Sequence, residues 1–128
     1  MSNNFTMKDS GHRESFTTGA VRDTSKGKGC PELISPIAIR RLAIVLEKGK
    51  EKYAERNWEK GMEIGRILQS AIRHIYDHIE GKRDEDHLGH AMFNVMAAIH
   101  IGEMIDRGLL PKELDNLPNY LPNNTNED

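Results

Sequence analysis

Apolar residues first recur at helical spacing between positions 36 and 54. The positions of this stripe lie three or four residues apart: Ile39, Leu42, Leu46, Gly49 and Tyr53. Such spacing is typical of an amphipathic helix with one buried face. Ser35 is a favourable N-cap residue, and Pro36 suits the first helical position. The pattern predicts a first helix over residues 36 to 54.

Two further helices are predicted on either side of a polar turn at residues 81–86. The helix before the turn covers residues 63–80 with a wide apolar arc, and it ends at Gly81, a natural C-cap residue. The helix after the turn covers residues 85–107 and is apolar around much of its circumference. Because the turn is short, we expect these two helices to be antiparallel neighbours.

These elements predict an all-α fold, a small bundle of three main helices with a polar N-terminal arm. The third helix is apolar on too many sides for a three-helix monomer. We therefore expect a homo-oligomer, a dimer or tetramer, to complete the bundle. Residues 1–17 are predicted to form a disordered tail, 18–108 the helical domain and 109–128 a C-terminal tail.

The composition narrows the class of protein. A chain of 128 residues with 37% hydrophobic residues suits one domain with a modest core. A net charge of -2 gives no support for nucleic-acid binding or for an anionic-membrane patch. A single cysteine excludes an intrachain disulfide framework, and no apolar run reaches membrane-spanning length. We expect a cytoplasmic protein.

Polar side chains gather on both sides of the turn, and residues 70–94 hold four of the six histidines: His74, His78, His87 and His90. His74 and Asp77 lie on one border of the second helix's apolar arc, and His87 and Asn94 share a stripe of the third helix. A buried polar group without a partner costs about 1–3 kcal/mol. We therefore expect these side chains to converge on one pocket. The alternative is a set of histidines satisfied within the core.

Acidic residues recur every four positions along the first helix. Glu47, Glu51 and Glu55 would share one ridge if the helix continued through all three. Carboxylates one turn apart can hold a divalent cation through oxygen ligands. The alternative is a solvated face balanced by the neighbouring lysines.

Two other segments carry candidate binding residues. Residues 18–29 place Arg22, Lys26 and Lys28 among glycines, which let the backbone approach a phosphate closely. We expect this segment to order over bound phosphates; a flexible basic tail is the alternative. Trp58, the single tryptophan, either covers the core or stacks on a purine base.

Several motifs in order carry a family resemblance: TGAVRD…GKG, LISPIAIRRLA, KYAERNWEKG and SAIRH…EGKRDEDHLGHAMFN. Together they cover residues 18–103 and resemble the bacteriophage dATP/dGTP diphosphohydrolase N-terminal-domain family. The resemblance implies an all-α fold related to the MazG-type nucleotide pyrophosphatases. It also implies hydrolysis of a purine deoxynucleoside triphosphate, dGTP or dATP, to monophosphate and pyrophosphate with Mg²⁺ or Mn²⁺.

One departure from the MazG-type pattern leaves alternatives open. Those enzymes bind metal with a Glu-Glu-x-x-Glu cluster on one helix and Glu-x-x-Asp on the next. The corresponding stretches here contain Gln69, Ser70, Arg73, His74, His87 and His90 instead. Either the cation lies elsewhere, or histidines take part, or the protein binds nucleotide without cleaving it.

Candidate roles follow from the needs of phosphoanhydride cleavage, which are charge neutralisation, a polarised phosphorus and an aligned water. The catalytic candidates are His74, Asp77 and His87, and the metal candidates are Glu51, Glu55 and Asp77. The candidates for substrate binding are Arg22, Lys26, Lys28, Asn57, Trp58, Arg73, His90 and Asn94. The competing hypotheses are a nucleotide-sequestering protein and a helical interaction protein with structural histidines.

Overall fold

The computed structural model describes residues 4–122. The chain divides into two compact units, Met1–Ser35 and Pro36–Asp128. Among the described residues, no helix has both the length and the apolar character needed to cross a membrane.

The first unit contains a small β-hairpin. Strands β1 (Arg13–Ser15) and β2 (Val21–Asp23) pair antiparallel, with Arg13 opposite Asp23. Gly19 supports the connecting turn because its φ of 92° favours glycine, and its N–H donates to the Phe16 carbonyl. β1 therefore lies in a segment for which the sequence predicted disorder. Three-residue strands are too short to show an alternating pattern, so hydrophobic periodicity could not predict them.

The second unit is built on three helices, as predicted. They are α1 (Pro36–Lys52), α2 (Ile64–Ile79) and α3 (His87–Asp106). Short 3-10 turns lie at Asn57–Lys60, between α1 and α2, and at Lys112–Leu114, after α3. The small, mostly helical fold expected from the sequence is confirmed, and α1 ends two residues earlier than expected.

The core of this unit lies between α2 and α3. Ile64 and Ile67 of α2 pack with Ala97 and Ile101 of α3, and each of the four is more than nine-tenths buried. Partly buried apolar side chains from the 3-10 turns, Trp58 and Leu114 among them, cover this cluster. Ala97 is fully buried in this cluster, so the contact between α2 and α3 forms the packed core of the unit.

Asp86 connects α1 to the start of α3. Its side chain caps α3 by accepting a hydrogen bond from the Gly89 N–H at 3.0 Å. It also accepts a hydrogen bond from Arg41 Nε of α1 at 2.9 Å and contacts Arg41 Nη2. The Arg41 guanidinium lowers the pKa of Asp86 to about 2. Residue 89 must be glycine here because a Cβ would collide with the Asp86 carboxylate.

Large apolar side chains of α2 and α3 stay exposed in the single chain. Ile79 of α2 is 71% exposed and Ile99 of α3 is 69% exposed. Ile72, Tyr76 and Val95 are also exposed. This exposure agrees with the apolar circumference noted in the sequence, and the expected homo-oligomer stays a prediction.

Replacing Asp86 by Ala should destabilise the fold by about 1–2 kcal/mol, because α3 loses its N-cap. A carboxyl with a lowered pKa in the folded state stabilises above its unfolded pKa, near 3.9, and this stabilisation is lost as pH falls towards 2. The variant should therefore show a smaller loss of stability over that pH range in urea titrations. Arg41→Gln, which keeps the cap, should cost less. Equal losses for both variants would contradict the capping role.

The apolar surface predicts self-association. Light scattering at micromolar concentration should show a dimer or tetramer. Ile79→Glu or Ile99→Glu should shift the protein towards monomer, whereas Leu117→Glu, outside these helices, should not. A stable monomer in the unmodified protein would rule the prediction out.

Candidate functional site

Six titratable side chains meet where α2, the turn and α3 join. Their ligand atoms form three overlapping groups, each within 4.8 Å. α2 supplies two of them, the turn two and α3 two: His74, Asp77, Asp84, Glu85, His87 and His90. We call this set the histidine cluster.

His87 is the buried centre of the histidine cluster, with 3% of its surface exposed. Its Nδ1 lies 2.9 Å from Nδ1 of His74 and 3.8 Å from Oδ2 of Asp77. Its Nε2 lies 2.9 Å from Oδ1 of Asp84, and this hydrogen bond lowers the pKa of Asp84. Since an ionised carboxylate only accepts, Nε2 of His87 carries the proton. In the neutral ring, Nδ1 then presents a lone pair towards His74 and Asp77.

His74 contacts the buried His87 and is itself partly exposed. The His90 ring stacks on it, with centroids 4.9 Å apart and planes 16° apart. Burial is the main cause that lowers the pKa of His74, and electrostatic interaction with the neighbouring His90 acts in the same direction. His74 is therefore neutral near pH 7, and a neutral imidazole can bind a metal ion or accept a proton.

A cavity of about 620 Å³ opens beside the histidine cluster. The end of α1, the 3-10 turn at Asn57–Lys60 and the facing sides of α2 and α3 form its walls. His74, Glu85 and His90 line it. This volume lies within the usual range of small-molecule sites, about 300–1,000 Å³.

Basic side chains dominate the charged lining of the cavity. Five basic residues line it, against two acidic ones, Glu55 and Glu85. The basic residues are Lys48, Lys50, Lys52, Arg56 and Arg66. Two of these basic residues already contact a carboxylate: Arg56 pairs with Glu59, and Lys50 lies 4.0 Å from Glu55. The remaining positive charge favours an anionic ligand.

The aromatic part of the cavity lies around Trp58. Its indole meets Phe93 edge-on, with ring centroids 6.0 Å apart, and meets His100 at 5.0 Å. Trp58 is half-buried, packs on the core and also lines the cavity. The two roles weighed for it in the sequence are therefore compatible.

Most of the predicted site residues of the helical unit lie at this site. His74, Asn57, Trp58, His90 and Asn94 line the cavity. Asp77 and His87 belong to the histidine cluster behind it. Asn94 Nδ2 donates to the His90 carbonyl at 2.8 Å, which leaves its Oδ1 as an acceptor. The functional roles of these residues stay predictions.

The structure does not bring the predicted metal ligands together. Because α1 ends at Lys52, the ridge of Glu47 and Glu51 does not extend to Glu55. Among residues 4–122, neither Glu51 nor Glu55 belongs to a group of three close metal-ligating side chains, whereas Asp77 groups with His74 and His87. Arg73 is exposed on α2 and does not line the cavity.

The predicted phosphate-binding residues of the first unit lie in and after β2. Lys28 Nζ is 3.3 Å from Oδ2 of Asp23, and the Lys28 N–H donates to the Ser25 carbonyl. Gly27 and Gly29 adopt positive φ angles. The roles of Arg22, Lys26 and Lys28 in phosphate binding stay predictions.

Sequence reasoning missed several residues of the site. Arg66 lines the cavity and donates a hydrogen bond to Ser70 Oγ at 2.6 Å. Residues 66, 70 and 74 are spaced by four, so a polar ridge leading to His74 was a readable signal. Glu85 was assigned to the start of a helix, whereas α3 begins at His87 and leaves Glu85 in the turn.

Comparison with known proteins identifies one family. A family model described as dATP/dGTP diphosphohydrolase, N-terminal, matches residues 18–107. No curated protein and no solved structure matches the chain.

Proposed function

Because this chain belongs to the dATP/dGTP diphosphohydrolase N-terminal family, we propose that it hydrolyses a purine deoxynucleoside triphosphate to monophosphate and pyrophosphate. The observation that carries the proposal is the cavity. It combines basic residues, an aromatic wall and the histidine cluster within one small volume. These are the three elements that binding a base and cleaving a phosphoanhydride require.

The basic lining suits the triphosphate. Lys48 and Lys52 at the end of α1 and Arg66 on α2 line the cavity. Cationic side chains stabilise charge that moves onto the phosphate oxygens as the bond breaks. In this proposal they take the phosphate contacts in the helical unit, and Arg66 is held towards the cavity by Ser70.

The aromatic wall suits the base. Trp58 offers a large apolar surface for stacking, and stacking a base on an aromatic side chain is worth about 1–3 kcal/mol. Asn94 Oδ1 is available to accept a hydrogen bond from an amino group on the base. In this proposal Trp58 supplies affinity and Asn94 supplies selectivity.

A divalent cation is part of the reaction that the resemblance implies. The histidine cluster fits one, because His74, His87 and Asp77 present two imidazole nitrogens and a carboxylate towards one point. These three residues would hold the ion. When bound, it would neutralise phosphate charge and lower the pKa of bound water.

The proton of the attacking water needs an acceptor. His90 lines the cavity, and its Nε2 lies 3.6 Å from Oε1 of Glu85. A carboxylate in this position can orient the imidazole and stabilise its protonated form. We assign His90 as the base and Glu85 as the residue that positions it.

The direct test is release of pyrophosphate from dGTP and dATP in the presence of Mn²⁺. His90→Asn should lower kcat by about 100- to 10,000-fold, the usual contribution of a general base. His74→Asn should abolish turnover while the far-UV circular dichroism spectrum is retained. His78→Asn, the matched change on α2 outside the histidine cluster, should leave the rate unchanged. Absence of pyrophosphate release would count against hydrolysis.

A second candidate is binding without cleavage. It is favoured by the departure from the MazG-type carboxylate pattern, because the corresponding stretches contain Gln69, Ser70 and Arg73, and then His87 and His90. In that case dGTP at 100 times its Kd should raise the free energy of unfolding by about 2.7 kcal/mol with no pyrophosphate released.

Trp58 provides an internal probe, because the chain has one tryptophan. A base that stacks on Trp58 should quench its fluorescence, so we expect quenching by dGTP and dATP. Inorganic pyrophosphate, which has no base, should quench much less. Equal quenching by pyrophosphate and dGTP would show that the base lies elsewhere.

A further inference from the structure

The nitrogen and oxygen atoms of the histidine cluster favour one class of metal ion over another. We propose that His74 Nδ1, His87 Nδ1 and an Asp77 carboxylate oxygen bind a transition-metal ion of the Mn²⁺–Zn²⁺ series in preference to Mg²⁺, with Asp84 as the positioning residue. The inference deepens the proposed function and rests on it for the ion's role in catalysis. The binding itself rests on the geometry alone.

The distances between the donor atoms fit one shared ion. Two ligand atoms that each lie about 2.1 Å from a zinc ion are about 3 to 3.4 Å apart. The two Nδ1 atoms are 2.9 Å apart, and Asp77 Oδ2 is 3.8 Å from His87 Nδ1. Without an ion, His74 Nδ1 donates its proton to the hydrogen bond with His87 Nδ1, so binding would require the His74 proton to move to Nε2. A carboxylate on a half-buried side chain can close the last few tenths of an ångström by rotating.

Asp84 sets the tautomer that this site needs. It accepts the hydrogen bond from His87 Nε2 at 2.9 Å, so the proton stays on Nε2 and Nδ1 keeps its lone pair. A carboxylate behind a metal-binding imidazole fixes the ring's orientation and raises its basicity. His87 is buried, so its ring is also held by packing. Asp84 does not touch the ion in this arrangement and acts through His87.

The donor set selects the class of ion. Mg²⁺ takes oxygen ligands in a strict octahedron and loses its waters reluctantly. Imidazole suits zinc, iron, nickel and copper, and affinity for such sites generally rises from Mn²⁺ towards Cu²⁺. Two nitrogens and one carboxylate therefore favour the transition metals. Three protein ligands also leave coordination positions open for water or a phosphate oxygen.

The test uses Co²⁺ as a spectroscopic probe with the full chain and no nucleotide. Titration should give visible absorption bands that saturate at one ion per chain. Zn²⁺ should abolish the bands, and millimolar Mg²⁺ should not. Absence of the bands, or their loss on adding Mg²⁺, would overturn the proposal.

The first variant tests whether Asp84 affects the affinity for Co²⁺. Asp84→Asn should weaken Co²⁺ affinity about 10- to 100-fold, because an amide can donate to Nε2 and so place the ring proton on Nδ1. Glu80→Gln is the matched control: it removes one exposed negative charge beside the same turn, outside the histidine cluster. Equal affinities for the two variants would refute the role of Asp84.

The ligands are tested with His74→Asn and His87→Asn, each expected to abolish the bands. His90→Asn should keep them, because His90 belongs to the other group, with His74 and Glu85. Loss of the bands in His90→Asn but not in His87→Asn would move the ion to that group and overturn the assignment. If His87→Asn does not fold, His74→Asn and Asp84→Asn decide the result.

Failure of this inference can be distinguished from failure of the proposed function. Release of pyrophosphate from dGTP with Mg²⁺ alone, by a protein that does not bind Co²⁺, would refute the site and leave the function. Co²⁺ binding without turnover by any metal would refute hydrolysis and leave the site.

Discussion

The arrangement of the helical unit depends on one carboxylate. Asp86 caps α3 through the Gly89 N–H and pairs with Arg41, so the same side chain starts one helix and joins it to another. The cavity depends on both connections, because α1 supplies three of its five basic residues and α3 supplies His90 and Asn94. The Arg41 guanidinium lowers the pKa of this carboxyl to about 2, so both connections keep their charge well into the acid range.

The contacts that stabilise the buried His87 ring also determine its orientation. A polar side chain buried without partners costs about 1–3 kcal/mol, and His87 avoids that cost through Asp84 and His74. The same two contacts orient its ring and leave one nitrogen facing His74 and Asp77. Asp77 is a second carboxylate near that nitrogen, and it also pairs with Lys82 at 3.3 Å. The close grouping of imidazole nitrogens and carboxylate oxygens is what supports the proposal that the cluster binds an ion.

Helical spacing predicted the three helices, and with the short connection it placed the side chains of His74 and His87 on facing helices near the same turn. The hairpin at Arg13–Ser15 was missed because three-residue strands carry no usable period. The condition for a ridge that includes Glu55, a helix continuing through residue 55, is not met because α1 ends at Lys52, and end positions depend on tertiary packing that spacing does not report. The cavity itself, formed by three helices and a 3-10 turn, has no signature in any single segment.

The replacement of carboxylates by imidazoles also changes the charge that a triphosphate meets. A site of three or four carboxylates stays negative after it binds one divalent cation, and it then repels the phosphates until further cations arrive. In the proposed site, the three ligands alone, two neutral imidazoles and one carboxylate, would give a net charge of about +1 with one ion bound, and Asp84 and Glu85 of the same cluster add two negative charges. Five basic residues line the adjacent cavity. In this proposal the lysines and arginines would provide the attraction for the phosphates that a second ion would provide in an all-carboxylate site.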